Sequence, residues 1–267
     1  MFLQRRNKIS GFGLTVTILL AFLVLYISYP LFGLVYLGAS TNLAQSLTMP
    51  ETVSALLLSL GTATVSTLIL SFFGIPLAYA LARYQFKLKF LLRLIVILPL
   101  VVPPLASGAM LLGVFGPYSF LGRIIPFDLT QSVLGIIIAQ TYVASPFIIL
   151  PSQAAFEAVP EKYETMARVL GKKKSEVFFR ISLPLAKTGI LVGMLMAWIR
   201  SIGELGATLM MAYNPHTISI QIFEDNAIGG IKNSVAGIVW VIILSIIALT
   251  IFLFLRRNHS IKLGWYR

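Results

Sequence analysis

The stretch from Val235 to Leu255 reads V-A-G-I-V-W-V-I-I-L-S-I-I-A-L-T-I-F-L-F-L and carries no charged residue. An α-helix needs about 20 apolar residues to cross the ~30 Å hydrocarbon core of a bilayer. Because backbone polar groups in hydrocarbon must be satisfied within their own segment, such a stretch is expected to be a helix. Five more stretches meet the same requirement and bring the predicted number of transmembrane helices to six: Gly11 to Leu37, Val53 to Leu81, Phe90 to Phe115, Ser132 to Leu150 and Leu185 to Ala212.

The composition of the 267-residue chain supports this interpretation. The chain is 58% hydrophobic and 11% charged, with a mean hydropathy of +0.91. Soluble domains contain roughly 45–50% apolar and about 25% charged residues. So much apolar surface excludes both a water-soluble fold and a disordered chain. We therefore predict an all-α integral membrane protein, located in the plasma membrane.

The net charge of +12 comes from an uneven distribution of Lys and Arg. Eighteen of the 21 basic residues fall in the segments 1–10, 82–93, 161–187 and 256–267. These four segments lie on the same side of a six-span topology. By the positive-inside rule, both termini are predicted to be cytoplasmic.

The chain divides into three predicted parts. Residues 1–52 hold a basic segment and the first span, which is too long for the apolar core of a signal peptide and is expected to be retained. Residues 53–257 form one transmembrane domain that includes a cytoplasmic segment, 157–184. Residues 258–267 form a short basic tail that is expected to contact membrane lipid.

Motifs for catalysis and cofactor binding are missing from the sequence. There is no cysteine, and His216 and His259 are too far apart in sequence to suggest a metal site. No P-loop, dinucleotide-binding, zinc-protease or nucleophile-elbow motif is present. We therefore predict no cofactor, no metal and no enzymatic activity in this chain. The basic stretches lack the interleaved aromatic residues of single-strand nucleic-acid binders, so no nucleic-acid partner is expected.

The longest polar stretch, residues 151–184, contains the signals of a short helix. Pro160 suits the first turn of this helix and Gly171 suits its C-terminal cap. Between them runs an apolar stripe at helical spacing: Tyr163, Met166, Ala167 and Leu170. Such a helix can rest on lipid or dock into a groove of a soluble partner, and the pattern alone leaves both interpretations open.

The same segment resembles the E-A-A-x-x-x-G-x9-I-x-L-P motif of permease subunits in binding-protein-dependent ABC importers. The frame here is Thr165-Met166-Ala167, Gly171 and Ile181-Ser182-Leu183-Pro184, with every spacing kept. Thr165 and Met166 depart from the motif, and Glu164 lies one residue earlier, about 100° around the helix. In that family this helix docks into the ATPase subunit. The resemblance therefore implies docking through Tyr163, Glu164, Thr165, Ala167, Arg168 and Gly171.

Two charged residues interrupt the fifth predicted span. Arg200 and Glu204 are four residues apart, so they share one face of a helix and can pair. A charge within a span is costly by at least ~2.5–3.5 kcal/mol. The pair can neutralise itself within the helix bundle or line a transport pathway and its gate, and the two interpretations are compatible because paired charges that avoid lipid can face a cavity or a partner subunit. The candidates for the second role are Arg200, Ser201, Glu204 and Thr208.

Three prolines, Pro99, Pro103 and Pro104, lie within the third predicted span. Each lacks a backbone donor and kinks or breaks a helix. The carbonyl groups released in this way need protein or water as partners, so this region is expected to face the bundle or a cavity. A packing kink without a further role is the alternative.

A second resemblance is more specific. The run from Ala197 to Thr208, A-W-I-R-S-I-G-E-L-G-A-T, resembles the A-R-S-L-G-E-F-G-A-T segment of molybdate, tungstate and sulfate importer permeases. Leu98 to Pro104 resembles the proline-rich start of their third span. The likeness covers roughly residues 53–257 and is closest to the molybdate/tungstate permeases. It implies a type I ABC importer permease that works as a homodimer with two ATP-binding cassette ATPase subunits and an extracytoplasmic oxyanion-binding protein.

Three alternatives stay open. A sulfate-type ABC permease fits the same features, since sulfate shares its charge and shape with molybdate. An ion-driven secondary transporter needs internal repeats and midplane carboxylates, and only Glu204 is available within a span. A membrane enzyme would need a catalytic constellation that the sequence lacks.

The positive charge of Arg200 is partly cancelled by Glu204, so this residue cannot hold a dianion tightly. Weak binding fits a transport pathway, because its sites must also release the cargo.

Overall fold

The structure is a computed structural model that describes residues 11–263, with side chains described from 13 to 254. The basic residues predicted at the two extremities, Arg5, Arg6, Lys8 and Arg267, lie outside this range. Within it, every regular element is a helix. The first part of the chain forms α1 (Gly11–Ala39), α2 (Leu43–Leu47), α3 (Pro50–Arg83), α4 (Lys89–Val101), α5 (Pro104–Phe115), α6 (Phe120–Ile124) and α7 (Val133–Glu157). The second part forms α8 (Glu161–Val169), α9 (Lys174–Val177), a π-helical turn (Phe178–Ser182), α10 (Leu183–Ile202), α11 (Gly206–Met211), α12 (Ile218–Gly229) and α13 (Ile231–Leu263).

Six segments of the described chain have the length and composition of membrane spans when a bent pair is counted as one. Five are single stretches: Gly13–Ala39, Pro50–Arg83, Val133–Glu157, Lys174–Ile202 and Ile231–Phe254. The sixth is the bent pair of α4 and α5. The predicted all-helical membrane architecture is confirmed.

The predicted third span, Phe90 to Phe115, is broken at two of the prolines that were expected to kink or break it, Pro103 and Pro104. α4 and α5 are separate helices whose axes differ by 117°. Val102 and Pro103 are extended, with ψ of 128° and 138°. Because Pro103 and Pro104 donate no backbone hydrogen bond, and because the residue before a proline avoids the helical conformation, the helix cannot continue through them. Pro99 lies within α4 near its end and does not interrupt it.

The fifth span begins and ends earlier than the predicted range from Leu185 to Ala212. It runs from Lys174 to Ile202 through α9, the π-helical turn and α10. Residues 203–205 then break the helix before α11. Arg200 therefore lies in the last turn of α10, and Glu204 lies in the break rather than in the same helix. Glycines at 203 and 206 explain the break, since glycine is among the weakest helix formers.

The polar segment between the fourth and fifth spans is shorter than the predicted 151–184. α7 continues to Glu157 and α9 begins at Lys174, so only residues 158–173 connect them. Ser152 and Gln153, which were assigned to the connection, are buried against the bundle as part of α7. The Gln153 amide donates to Glu157 Oε1 at 2.8 Å within the same helix, so α7 continues beyond its apolar run.

α7 lies at the centre of the bundle, between α3 and α10. Its side chains Ala144, Ile148 and Phe156 are fully buried and share a core with Ala78 of α3. α10 approaches α7 at Gly193, where an added Cβ would lie 3.1 Å from the Ile148 carbonyl oxygen. Small residues that let helix backbones approach are the usual basis of packing between membrane helices.

The connections gather at two ends of the bundle. At one end, which we call the α8 end, α8 lies against the ends of α3 and α7, and Arg93 is 3.7 Å from Glu157. At the opposite end, which we call the α12 end, the backbone N–H of Gln131 donates to the Met211 carbonyl at 3.1 Å. α1 lies outside this assembly, packs against α13 and has no buried residue in its apolar window.

Candidate functional site

The predicted short helix in the polar segment is present as α8. Pro160 immediately precedes it with ψ of 125°, and Gly171 follows it with φ of +81°. The Gly171 N–H donates to the Arg168 carbonyl at 3.0 Å, and the Lys172 N–H donates to the Ala167 carbonyl at 3.1 Å. This double closure is a Schellman cap, in which glycine is favoured because its φ is positive. Both termini of the helix are therefore set by local sequence.

The predicted apolar stripe of α8 is present, but one of its four residues is buried while the other three are exposed. Ala167 is buried against the membrane domain, whereas Met166 is 63% exposed and Leu170 is 80% exposed. Val169, which was not among the predicted residues, is 82% exposed. Together with the half-exposed Tyr163, these side chains form an outward apolar surface. We call Tyr163, Met166, Val169 and Leu170 the outer face of α8.

The inward side of α8 is held by Glu164, which is 4% exposed. Its Oε1 accepts hydrogen bonds from Arg83 Nε at 2.8 Å and from Ser182 Oγ at 2.9 Å. Its Oε2 accepts from the Tyr79 hydroxyl at 3.1 Å. We call Tyr79, Arg83, Glu164 and Ser182 the Glu164 clamp. Only Glu164 among these four was singled out from the sequence, and it was assigned to a docking contact.

Thr165 occupies the position that the motif gives to glutamate, and it lies on the exposed side of α8. The Arg168 Nη2 donates to the Thr165 hydroxyl at 3.2 Å, and its Nε contacts the Glu164 carbonyl at 3.4 Å. The two exposed polar residues therefore form one hydrogen-bonded pair next to the outer face. Glu164 does not replace the missing glutamate on that side, because its carboxylate points into the protein.

The second predicted cluster lies at the break in the fifth span. Arg200 Nη1 and Glu204 Oε2 form an ion pair at 2.5 Å, and Glu204 is 1% exposed. The other Glu204 oxygen, Oε1, accepts the backbone N–H of Ala207 at 2.7 Å. The Thr208 hydroxyl donates to the Glu204 carbonyl at 3.0 Å. Glu204 thus pairs with the end of α10 and caps the start of α11, so the carboxylate joins both sides of the break.

Ser201 is buried in the last turn of α10, where its carbonyl accepts from Gln140 Nε2 of α7 at 3.1 Å. The Ser66 hydroxyl of α3 donates to Gln140 Oε1 at 3.2 Å. Gln140 therefore ties three spans together beside the break. The sequence analysis did not single it out, although a lone side-chain amide within the predicted fourth span is a recognisable signal, since buried polar groups need partners.

The two interrupted spans pack on each other. α5 contacts α11 along a close approach in which Gly108 faces Ala207 and Gly206 faces Pro104. A Cβ added at position 206 would lie 2.8 Å from Pro104 Cβ. The predicted kink prolines and the predicted gate residues therefore belong to one unit, which we call the broken-span unit.

A further polar cluster lies at the α12 end. His216 Nδ1 is 2.8 Å from Glu224 Oε2, and Gln221 Nε2 donates to Asp225 Oδ1 at 2.8 Å. Burial raises the pKa of the Asp225 carboxyl, and the neighbouring charges of Glu224 and Glu51 raise it further, while the Gln221 hydrogen bond and His216 oppose the rise. Among the described residues, no group of His, Asp and Glu is arranged to hold a metal ion.

Comparison with known proteins agrees with this architecture. Residues 71–260 match the family described as binding-protein-dependent transport system inner membrane component. The chain is 43% identical over 211 residues to a probable molybdenum ABC transporter permease protein of Haloferax volcanii, covering 79% of this chain and 78% of that protein. It is 36% identical over 239 residues to a molybdate/tungstate transport system permease protein of Pyrococcus furiosus, covering 88% of this chain and 90% of that protein.

One solved structure has the same fold. It is a bacterial alginate ABC transporter in complex with an alginate pentasaccharide-bound periplasmic protein, and the likeness has a TM-score of 0.72. The match covers 94% of this chain and 96% of the other chain, at 17% identity. At this identity the likeness concerns the fold alone.

Proposed function

We infer a specific transport function from the premise that this chain belongs to the binding-protein-dependent transport system inner membrane components, and among them to the molybdate/tungstate-type ABC permeases. It is a membrane transport component and not an enzyme. We propose that it forms the pathway of an ATP-driven importer of a tetrahedral oxyanion, molybdate or tungstate. The energy for transport comes from a separate ATPase subunit, since this sequence contains no P-loop.

The observation that carries this proposal is the outer face of α8. A short helix that is capped at both ends presents four exposed apolar side chains beyond the ends of the spans. An apolar helix face framed by charged residues suits insertion into a groove of a soluble protein. We assign this face to the ATPase subunit, with Thr165 and Arg168 as the adjoining polar contacts. Glu164 and Ala167 then serve as the inward anchor of the helix rather than as contacts to the partner.

The orientation follows from the distribution of basic residues. The α8 end carries most of the described Lys and Arg residues, so we assign it to the cytoplasm. The α12 end then faces outward and receives a binding protein that delivers the oxyanion. The tail, 258–267, is assigned to the lipid surface on the cytoplasmic side.

We place the pathway at the broken-span unit, between two copies of this chain. Arg200 supplies a positive charge there, and its side chain is 24% exposed while that of its partner Glu204 is 1% exposed. An arginine whose charge is largely neutralised attracts an oxyanion only weakly, and weak sites permit release. Ser201 and Thr208 are buried next to this pair, so they support the gate rather than line an open channel.

A secondary transporter is disfavoured by the same geometry. It would need a carboxylate that binds and releases a coupling ion within the spans. Glu204 is already engaged by Arg200 and by the Ala207 N–H. Among the described side chains of the six spans, Glu204 is the carboxylate that best meets this requirement. Both of its oxygens already have partners at the helix break.

The test is uptake by proteoliposomes that contain the chain, its ATPase subunit and the binding protein. Radiolabelled molybdate and tungstate should accumulate only with ATP, and sulfate should compete weakly. Matched vesicles that lack the ATPase subunit serve as the control. Uphill accumulation without that subunit would overturn the proposal, and uptake of sulfate equal to that of molybdate would replace the cargo with that of a sulfate-type permease.

A further inference from the structure

The Glu164 clamp joins three segments of the chain at one carboxylate and reaches a fourth through Arg83. Tyr79 and Arg83 come from the last turns of α3, Glu164 comes from α8, and Ser182 ends the π-helical turn before α10. The fourth segment is the connection after α7, where the Val159 carbonyl accepts from Arg83 Nη2 at 2.7 Å. The Glu164 carboxylate therefore holds α8 against α3 and the start of the α10 span, and Arg83 extends the network to the connection after α7.

The clamp is almost closed to water. The Arg83 and Glu164 side chains are 7% and 5% exposed, and Ser182 is fully buried. Four donor–acceptor contacts satisfy the two opposite charges, so neither is left uncompensated. Removing one partner of a buried pair leaves the other charge buried and unpaired, and this is far more costly than keeping the pair intact. The clamp is therefore stiff compared with a pair on the surface.

Little else fixes α8 to the membrane domain. Ala167 is the other buried residue of this helix, and its methyl group offers a small apolar contact. Beneath the clamp, the Tyr79 ring lies 5.2 Å from the Phe156 ring and 4.9 Å from the Phe178 ring in edge-on contacts. These contacts fix the position of the tyrosine on α7 and the π-helical turn. The charged clamp, rather than an apolar interface, thus sets the position of α8.

The clamp is also connected to the broken-span unit through α10. Ser182 is followed directly by α10, whose 20 residues extend about 30 Å at 1.5 Å per residue. The last turn of α10 carries Arg200 and Ser201. π-helical turns are rare and frequently mark functional sites, and this one aims the Ser182 hydroxyl at Glu164. A displacement of α8 is therefore transmitted to the helix break through one continuous helix, α10.

We propose that Glu164 is a positioning residue that couples the movement of α8 to the movement of α3 and α10. The inference rests on the proposed function, in which an ATPase subunit moves α8. Glu164 contacts neither the cargo nor the partner. Its role is to make the spans follow the helix, so its loss should separate ATP hydrolysis from transport.

The main experiment compares Glu164→Gln with the unmodified chain, both assembled with the ATPase subunit and the binding protein in proteoliposomes. We expect Glu164→Gln to retain the ATPase subunit and to sustain ATP hydrolysis, while the oxyanion transported per ATP falls about tenfold. The matched control is Glu161→Gln on the same helix, whose side chain is 72% exposed and lies 4.0 Å from Arg83. This variant should transport with unchanged stoichiometry.

Two milder variants keep the inference testable if Glu164→Gln does not fold. Tyr79→Phe and Ser182→Ala each remove one hydroxyl donor to Glu164 and leave the Arg83 contact in place. Each should lower the oxyanion transported per ATP by about two- to threefold without loss of the ATPase subunit. Unchanged stoichiometry in both would overturn the inference.

The outcomes separate this inference from the proposed function. If the unmodified assembly shows no ATP-dependent uptake, the proposed function fails and the inference fails with it. If the unmodified assembly transports and Glu164→Gln transports with the same stoichiometry, the inference alone fails. If Glu164→Gln folds but loses the ATPase subunit, the clamp merely supports the docking surface, and the coupling role is again overturned.

Discussion

Gly108 of α5 lies so close to Ala207 of α11 that a Cβ at position 108 would come within 2.7 Å of the Ala207 carbonyl oxygen. No side chain larger than hydrogen fits without moving one helix from the other. Gly108→Ala should therefore destabilise the protein by about 1–3 kcal/mol, the usual cost of overpacking, and should reduce transport. Thermal unfolding of the purified protein checks the first effect and vesicle uptake checks the second.

The control for that substitution lies on the same helix. An added Cβ at Gly113 meets no atom within 4 Å. Gly113→Ala should thus leave transport intact and stabilise α5 by roughly 0.5–1 kcal/mol. Equal behaviour of the two alanine variants would contradict the close contact between α5 and α11.

The Arg200–Glu204 pair predicts unequal effects of single substitutions. Arg200→Gln leaves the buried Glu204 carboxylate without its counter-charge, and breaking a buried pair in this way costs about 3–5 kcal/mol. Glu204→Gln should cost less, because the Arg200 side chain is partly exposed. The double variant Arg200→Gln/Glu204→Gln should recover at least half of the loss seen in Arg200→Gln. A double-mutant cycle on unfolding free energies measures this coupling, and strictly additive costs would argue against the pair.

The outer face of α8 predicts where a charge abolishes assembly. Leu170→Asp should weaken binding of the ATPase subunit at least about tenfold, because a buried charge replaces an apolar anchor in the groove. The permease alone should fold normally, since Leu170 is 80% exposed. Tyr118→Asp is the matched control, because Tyr118 is 88% exposed and belongs to the opposite end. Co-purification distinguishes the two, and equal retention of the ATPase subunit would refute the assignment of this face.

Gly171 predicts an effect of backbone conformation that does not depend on the room available for a side chain. An added Cβ there meets nothing within 4 Å, yet φ is +81°, so any other residue is strained by roughly 1–2 kcal/mol. Gly171→Ala should fray the end of α8 and weaken binding of the ATPase subunit. Gly61→Ala, at an uncrowded helical position, should be neutral or stabilising. Equal stability of the two variants would be incompatible with the Schellman cap.

The raised pKa of Asp225 predicts how stability depends on pH. A carboxyl whose pKa is higher in the folded protein binds its proton more tightly there, so its charged form opposes folding. Stability should rise as pH falls through the folded-state pKa, and the penalty should be complete above it. Asp225→Asn should remove this dependence and stabilise the protein at neutral pH, by less than ~1 kcal/mol because solvent screens the site. Unfolding midpoints of both proteins between pH 4 and pH 8 provide the measurement, and parallel curves would contradict the raised pKa.

The sequence predicted well those features that local chemistry determines. α8 and its glycine cap depend on a few neighbouring residues, and both are found where they were expected, while Pro160 lies just before the first turn rather than within it. The number of membrane segments follows from apolar length alone. The positions of Pro103 and Pro104 also predicted a break, but not its angle of 117°, which depends on how α5 packs against α11.

What the sequence could not predict depends on contacts between distant segments. The inward position of Glu164 could not be predicted, because its partners Arg83 and Ser182 are 81 and 18 residues away in the sequence. Helical periodicity within α8 does not identify such distant partners. The break at residues 203–205 contains no proline, so its apolar surroundings suggested a continuous helix. Gln140 was missed for the same reason, since its significance lies in its hydrogen bond to the buried carbonyl of Ser201, 61 residues away in the sequence.

The close approach of α5 and α11 at Gly108 and Ala207 has a mechanical consequence. Where two helices meet mostly through main-chain atoms, there are few interlocking side chains that must change rotamer before one helix slides along the other. Resistance to sliding at such a surface is low. Glu204 does not join α5 to α11, because its carboxylate ties α11 to α10 through Arg200 and the Ala207 N–H. Helix α11 is therefore anchored on its α10 side and less restrained on its α5 side, so loss of the Glu204 carboxylate should release α11 from α10.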